Sequence, residues 1–215
     1  MILLTLARAE ENNRALFIAD LARELEFAPE SPLRALVEQS LVRADASGAF
    51  ALTDAGRDRA LALLRRHRLA ERFFTDVLHL DWARAHEEAC KFEHIVSRED
   101  EQQIIGALGE PDTCPHGNPI PPRRARRRAR HRRGFGSPLS LADFAPLTCA
   151  TIVRIAIETP AALQHLATLG LLPNVQIVVE NRAPFDGPIL VRVGRARYAL
   201  GRDLAARIWV TETEH

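Results

Sequence analysis

The chain has 215 residues, 47% of them hydrophobic and 27% charged, with a formal net charge of +1. This is ordinary globular composition, and no apolar run is long enough to span a bilayer. The near-neutral total conceals eight arginines and no acid between positions 123 and 133, a strip suited either to an anionic partner or to a solvated linker.

The first nine residues are apolar only briefly before Glu10 and Glu11, so no secretory signal is expected. Three cysteines without disulfide spacing fit a reducing cytoplasm, where thiols are free to bind metal. Residues 2–27 carry two short helical patterns, the second being Ala19-Asp20-Leu21-Ala22-Arg23-Glu24-Leu25. Ser31-Pro32 reads as a cap and first-turn proline of a third helix ending near Gln39, with Leu33, Leu36 and Val37 on its apolar face. Residues 41–43 and 50–52 pair as strands around Ala46-Ser47-Gly48. Two helices, a short helix and a β-ribbon in this order make a winged helix-turn-helix.

Thr53 and Asp54 supply the cap of a long helix predicted over 55–78, followed by helices over 81–96, begun and anchored by Asp81 and Trp82, and over 98–108. Five prolines between 109 and 122 end the helical unit, and 123–140 is a low-complexity linker. Beyond it the character changes. Strands are predicted over 149–157, 176–180, 189–193, 197–200 and 206–211, with one helix over 160–169 and a hairpin break at Pro184-Phe185-Asp186-Gly187. Five short strands of this size suggest an SH3-like β-barrel, with Trp209 in its core. The fold class is therefore a multidomain α+β chain.

The residues with the most chemistry lie in His86-Glu87-Glu88-Ala89-Cys90-Lys91-Phe92-Glu93-His94. Positions i, i+4, i+7 and i+8 share a helix face, so His86, Cys90, Glu93 and His94 are expected to project together. His67 and Glu71 form another i, i+4 pair on the preceding helix. Imidazole, thiolate and carboxylate donors on packed helices suit Fe(II), Co(II), Ni(II) or Zn(II) better than Mg(II) or Ca(II). Any one of these residues alone reads more simply as part of a charged, solvated helix face; two such pairs on neighbouring helices favour metal. Cys114-Pro115-His116 is a C-x-H pair in the proline-rich turn, able to join a second site if the turn folds back against His67 and Glu71. His79 and His165 read as surface or packing histidines. The sequence carries no Gly-rich phosphate loop and no nucleophile paired with a base, so no enzyme is expected. A metallohydrolase would need a base apart from the ligands.

The stretch His67-Arg68-Leu69-Ala70-Glu71-Arg72, then residues 86–94, then Cys114-Pro-His-Gly-Asn-Pro-Ile-Pro121, resembles the metal-binding and dimerisation domain of the iron-dependent (diphtheria toxin) repressors. Leu169-Gly170-Leu171-Leu172-Pro173 resembles the SH3-like ferrous-transport-A domain often fused behind it. The resemblance implies a winged helix over 1–62, a metal-binding and dimerisation domain over 63–122, an Arg-rich linker over 123–140 and an SH3-like domain over 141–215. It further implies a primary site of Cys90, Glu93 and His94 with Met1 near the position of an N-terminal ligand. An ancillary site would draw on His67, Glu71, His86, Cys114 and His116, with Glu158 as the candidate acid from the SH3-like domain. Cys at position 90 resembles the iron-responsive branch, so Fe(II) is the expected effector, with Mn(II), Co(II), Ni(II) and Zn(II) as alternatives. The implied protein is a cytoplasmic, homodimeric, metal-activated DNA-binding repressor that does not engage membranes.

The DNA-reading region departs from that family. The turn before the third helix is about three residues short, Pro29 and Pro32 replace helix formers, and Glu30 would repel a phosphate. Ser31, Arg34 and Gln39 remain as candidate DNA contacts, with Arg34 the guanine reader. Arg123, Arg124, Arg126, Arg127 and Arg128 are candidate phosphate contacts. The alternative reading is a dimeric metal sensor or ferrous-transport accessory protein that has lost specific DNA binding.

Overall fold

The computed structural model describes residues 1–25, 27–122 and 138–213. The chain divides into two compact units, one formed by residues 1–67 with 121–122 and the other by 68–120 with 138–213.

The first unit comprises α1 (Ile2–Glu11), α2 (Ile18–Leu25), α3 (Glu30–Glu38), an antiparallel ribbon of β1 (Val42–Ala44) and β2 (Phe50–Leu52), and the first turns of α4 (Asp54–Asp76). Val42 pairs with Leu52 in the ribbon. The ribbon's turn is pinned by the Asp45 carboxylate, which accepts from Ser47 N at 2.8 Å and Ala49 N at 3.1 Å. Leu4, Leu6, Leu16, Leu21, Leu33, Leu52 and Leu64 fill one core. Glu10 ties α1 to α4 by accepting from Arg57 Nε at 2.9 Å.

The third helix begins at Glu30 with Pro29 as its N-cap, two residues ahead of the expected cap at Ser31, and Gln39 closes it. Pro29 and Pro32 therefore occupy positions whose amides have no intrahelical partner, and neither removes a helical hydrogen bond. The prolines do less damage than the sequence suggested.

The second unit holds the last turns of α4, then α5 (Trp82–Phe92) and α6 (Arg98–Leu108). Asp81 caps α5 by accepting from Arg84 N at 3.0 Å, and Ser97 with Asp100 forms a capping box on α6. Leu69, Ile104 and Ile120 pack with Phe73, Phe92, Ile105 and Leu108. Helix α5 stops at Phe92 rather than continuing to residue 96, because the chain must turn through 93–95 before α6 starts.

The same unit carries β3 (Leu139–Ser140), β4 (Thr148–Ile155), α7 (Pro160–Thr168), β5 (Gln176–Arg182), β6 (Ile189–Val193), β7 (Ala196–Leu200), α8 (Arg202–Ala205) and β8 (Ile208–Glu212). Six strands form one antiparallel sheet in the order β3-β8-β4-β5-β6-β7. The SH3-like part is thus not a closed barrel. Strand β3 has two residues and pairs with β8, which leaves β3 and β7 as sheet edges among the described residues. Leu141, Ile152, Ile155, Leu163, Val179, Val191 and Val210 form its core. Trp209, expected in that core, is half-buried instead, with the Arg154 guanidinium stacked 4.7 Å above its ring. Phe185 and Asp186 both take positive φ, as the hairpin break between β5 and β6 requires. A register shift at Val153 marks a bulge in β4, facing the helical part of the same unit.

Candidate metal centre

Glu71, in the last turns of α4, is fully buried and lies between two histidines. Its Oε1 is 2.7 Å from His86 Nδ1 on α5, and its Oε2 is 3.6 Å from His116 Nδ1 in the proline-rich turn. His86 Nε2 faces Cys90 Sγ at 3.7 Å, and His116 Nδ1 faces Cys114 Sγ at 3.7 Å. A continuous string of side chains thus runs from one thiol to the other through Glu71. Glu71, Cys114 and His116 present ligand atoms all within 4.8 Å of one another, as do Glu71, His86 and Glu158.

The turn holding Cys114 and His116 is fixed by its backbone. Cys114 N donates to Asn118 O at 2.9 Å and Gly117 N to Cys114 O at 3.0 Å. Gly117 has φ +80°, and a Cβ there would lie 2.1 Å from Val153 O at the β4 bulge. Ile155 N donates to His116 O at 2.8 Å, so the sheet and the turn are joined through their main chains.

Beyond β4 the chain brings in Glu158, buried just ahead of α7. Asn118 Nδ2 donates to Glu158 Oε1 and to Ile155 O, both at 2.8 Å. Arg68, fully buried, places Nη2 3.7 Å from the same Oε1 and donates from Nη1 to Pro119 O at 2.6 Å. Arg68 and Asn118 were not singled out from sequence. The signal was available only as their place inside the two quoted motifs.

Burial pushes the His116 ring toward its neutral form, but the Glu71 carboxylate, aided by Cys114, outweighs it and raises the pKa to about 10. A proton on His116 therefore compensates buried negative charge where no ion is bound. His116 Nε2 is buried with no hydrogen-bond partner among the described residues, and the Trp82 ring stands edge-on to the imidazole at 4.9 Å. Buried carboxylates beside two imidazoles and a thiol fit a divalent transition metal: each donor is one such ions use, and a cation would offset the cost of burying the charges.

The other predicted ligands are placed as follows. His67 is buried on α4, one turn before Glu71. Cys90 is half-buried on α5. Glu93 and His94 fall past the end of α5: Glu93 is fully buried, while the His94 side chain is 53% exposed with Nε2 3.4 Å from Glu93 Oε1. Glu93 still closes α5 in helical conformation, its N donating to Ala89 O at 3.0 Å, and the chain turns through 93–95. Met1 is the exposed N-cap of α1 in the first unit. Ser31, Arg34 and Gln39 are all exposed on or just after α3. Arg123, Arg124, Arg126, Arg127 and Arg128 lie outside the described residues. No helix among the described residues is long and apolar enough to cross a membrane.

A winged helix followed by a buried His/Glu/Cys cluster and an SH3-like sheet defines a metal-binding regulator of the winged-helix class. Two family models match the chain: the iron dependent repressor, metal binding and dimerisation domain over residues 53–122, and the FeoA domain over 139–212. The chain is 30% identical to the iron-dependent repressor IdeR of Mycobacterium leprae over 233 residues, covering 98% of this chain and 95% of that one. Its structure is similar to that of T. acidophilum IdeR, with TM-score 0.81 and 29% identity over 98% of this chain and 96% of that one. It is also similar to a manganese-dependent transcriptional repressor in complex with manganese, with TM-score 0.83 and 31% identity over 99% and 98% of the two chains. The chain belongs to the iron-dependent repressor family.

Proposed function

We propose that this protein is a metal-dependent transcriptional repressor that binds operator DNA as a homodimer in the cytoplasm, with Fe(II) as its effector. The observation that carries this reading is the buried donor set around Glu71, an arrangement of imidazole, carboxylate and thiol that fits a transition metal. In this reading Cys90, Glu93 and His94, with Met1, form the primary site. His67, Glu71, His86, Cys114, His116 and Glu158 form the ancillary one. The domains divide as 1–62, 63–122, a linker over 123–140, and 141–215. Thiolate from Cys90 supports Fe(II) over Mn(II).

Metal binding favours the DNA-competent arrangement only to the extent that it binds that arrangement more tightly than the inactive one. The exposed Ser31, Arg34 and Gln39 then meet base edges or phosphates, and the Arg-rich strip adds sequence-independent phosphate contacts. The alternative, an accessory protein without specific DNA binding, is less well supported, because the relatives that span the chain are themselves repressors. A gel-shift titration on the upstream region of the protein's own gene tests the reading. Retardation is expected with Fe(II) and not with chelator; equal retardation under both conditions refutes metal dependence.

A further inference from the structure

We propose that Glu71 bridges two metal ions, so that the ancillary region is a carboxylate-bridged pair rather than a single-ion site. The proposal rests on the ancillary site proposed above and concerns how many ions it holds and of what kind.

The donors fall into two groups that meet at Glu71: His86 and Glu158 on one side, Cys114 and His116 on the other. The two carboxylate oxygens are already divided between them, Oε1 toward His86 and Oε2 toward His116. Ligand atoms around a tetrahedral ion with bonds of about 2.0–2.3 Å stand roughly 3.3–3.8 Å apart. The separations of 3.6 Å between Glu71 and His116 and 3.7 Å between His116 and Cys114 match sharing an ion. On the other side the 2.7 Å contact between Glu71 and His86 is a hydrogen bond and opens by less than about 1 Å to admit one. Two ions held by one carboxylate lie about 3.5–4 Å apart, a spacing compatible with donor groups that share a single residue.

The two positions differ in chemistry. A thiolate, an imidazole and a carboxylate oxygen make the Cys114 position the softer one, suited to Zn(II), Co(II) or Fe(II). Imidazole and carboxylate donors without a thiolate make the His86 position harder, suited to Mn(II) or Fe(II). The Asn118 and Arg68 contacts hold Glu158 on the harder side by its Oε1.

The test uses the full chain, stripped with chelator and dialysed anaerobically against Co(II), with bound cobalt counted and its optical and spin-resonance spectra recorded. Relative to wild type, Cys114→Ser should lose one ion and its thiolate charge-transfer intensity. His86→Ala should lose one ion and keep that intensity, and Glu71→Gln should lose two. Spin coupling should depress the resonance signal per cobalt in wild type and disappear in either single-position variant. If Cys114→Ser and His86→Ala each remove the same single ion, without spin coupling in wild type, the bridge is refuted while a one-ion ancillary site stands. If wild type binds no more cobalt than Glu71→Gln, the ancillary site fails as well. Should Glu71→Gln not fold, the Cys114→Ser and His86→Ala pair still decides between one ion and two.

Discussion

Replacing Gly117 by alanine tests the idea that the metal turn is held by the sheet. The residue has φ +80°, and its added Cβ would meet Val153 O at 2.1 Å and Arg154 Cα at 3.1 Å, both backbone atoms that cannot swing aside. The left-handed conformation costs a side-chain-bearing residue about 1–2 kcal/mol. Forcing the turn off the β4 bulge adds about 1–3 kcal/mol of the kind seen when packed interiors are overfilled. The sum, about 2–5 kcal/mol, corresponds to a fall of roughly 4–20 °C in the melting temperature of a unit this size. The displaced turn carries His116, whose carbonyl accepts from Ile155 N at 2.8 Å, and Asn118, which holds Glu158. Metal affinity at the ancillary site should therefore drop together with stability. Differential scanning calorimetry of chelator-treated protein and a Co(II) titration followed by Trp82 emission read the two effects. Wild-type melting and wild-type cobalt affinity in Gly117→Ala would show that the turn does not depend on its contact with β4.

Three further outcomes are expected. Cys90→Ala and His94→Ala should each lower Fe(II) or Co(II) affinity at the primary site by more than the roughly 10–100-fold typical of losing an outer-shell partner, with far-UV dichroism unchanged; unchanged calorimetric titrations for both would remove these residues from the site. For His116, the folded pKa of about 10 exceeds the ordinary 6.5. Its charged ring thus stabilises the metal-free fold fully below pH 6.5, and that contribution is lost as pH rises through about 10. Melting of chelator-treated protein should decline over this window, less so in His116→Asn, and an ion bound by His116 at neutral pH should release a proton, visible as a buffer-dependent heat. Arg34→Ala should change sequence preference by about 1–3 kcal/mol at one base pair while leaving salt dependence intact; a selection experiment that returns the wild-type operator would exclude Arg34 as a base reader.

Much of the centre was legible because its donors are local pairs. His67 with Glu71 and His86 with Cys90 are one helical turn apart, and Cys114 with His116 flank a proline, so spacing alone suggested them. Glu158 came from resemblance. Asn118, which holds it, lies 40 positions away, and nothing local in the sequence links Asn118 to Ile155 or Glu158. Arg68 stands in the sequence only as part of the resembling stretch, and its burial, at 1% exposed, is not visible there. The end of α5 was misplaced because residues 93–96 can continue a helix by propensity, and the need to turn into α6 overrides that preference. Closure of the barrel was misjudged because strand count alone does not reveal that the first strand is only two residues long.

Arg68 and Asn118 also explain how the carboxylate that follows β4 stays buried. An isolated buried carboxylate would recover its solvation by protonating or by leaving the site. Glu158 instead receives Asn118 Nδ2 at 2.8 Å and faces the Arg68 guanidinium at 3.7 Å, both at Oε1. Charge and hydrogen bond thus both meet the carboxylate at Oε1. Asn118 belongs to the same turn as Cys114 and His116 and reaches Ile155 O as well, so it positions the acid by reference to the turn that carries the other ligands. The placement of the Glu158 carboxylate is set by the helical part, and the path of the turn at Gly117 is set by the bulge at Val153. Each half fixes a side chain of the other, and residues 68–120 and 138–213 lie in one compact unit although two family models match them.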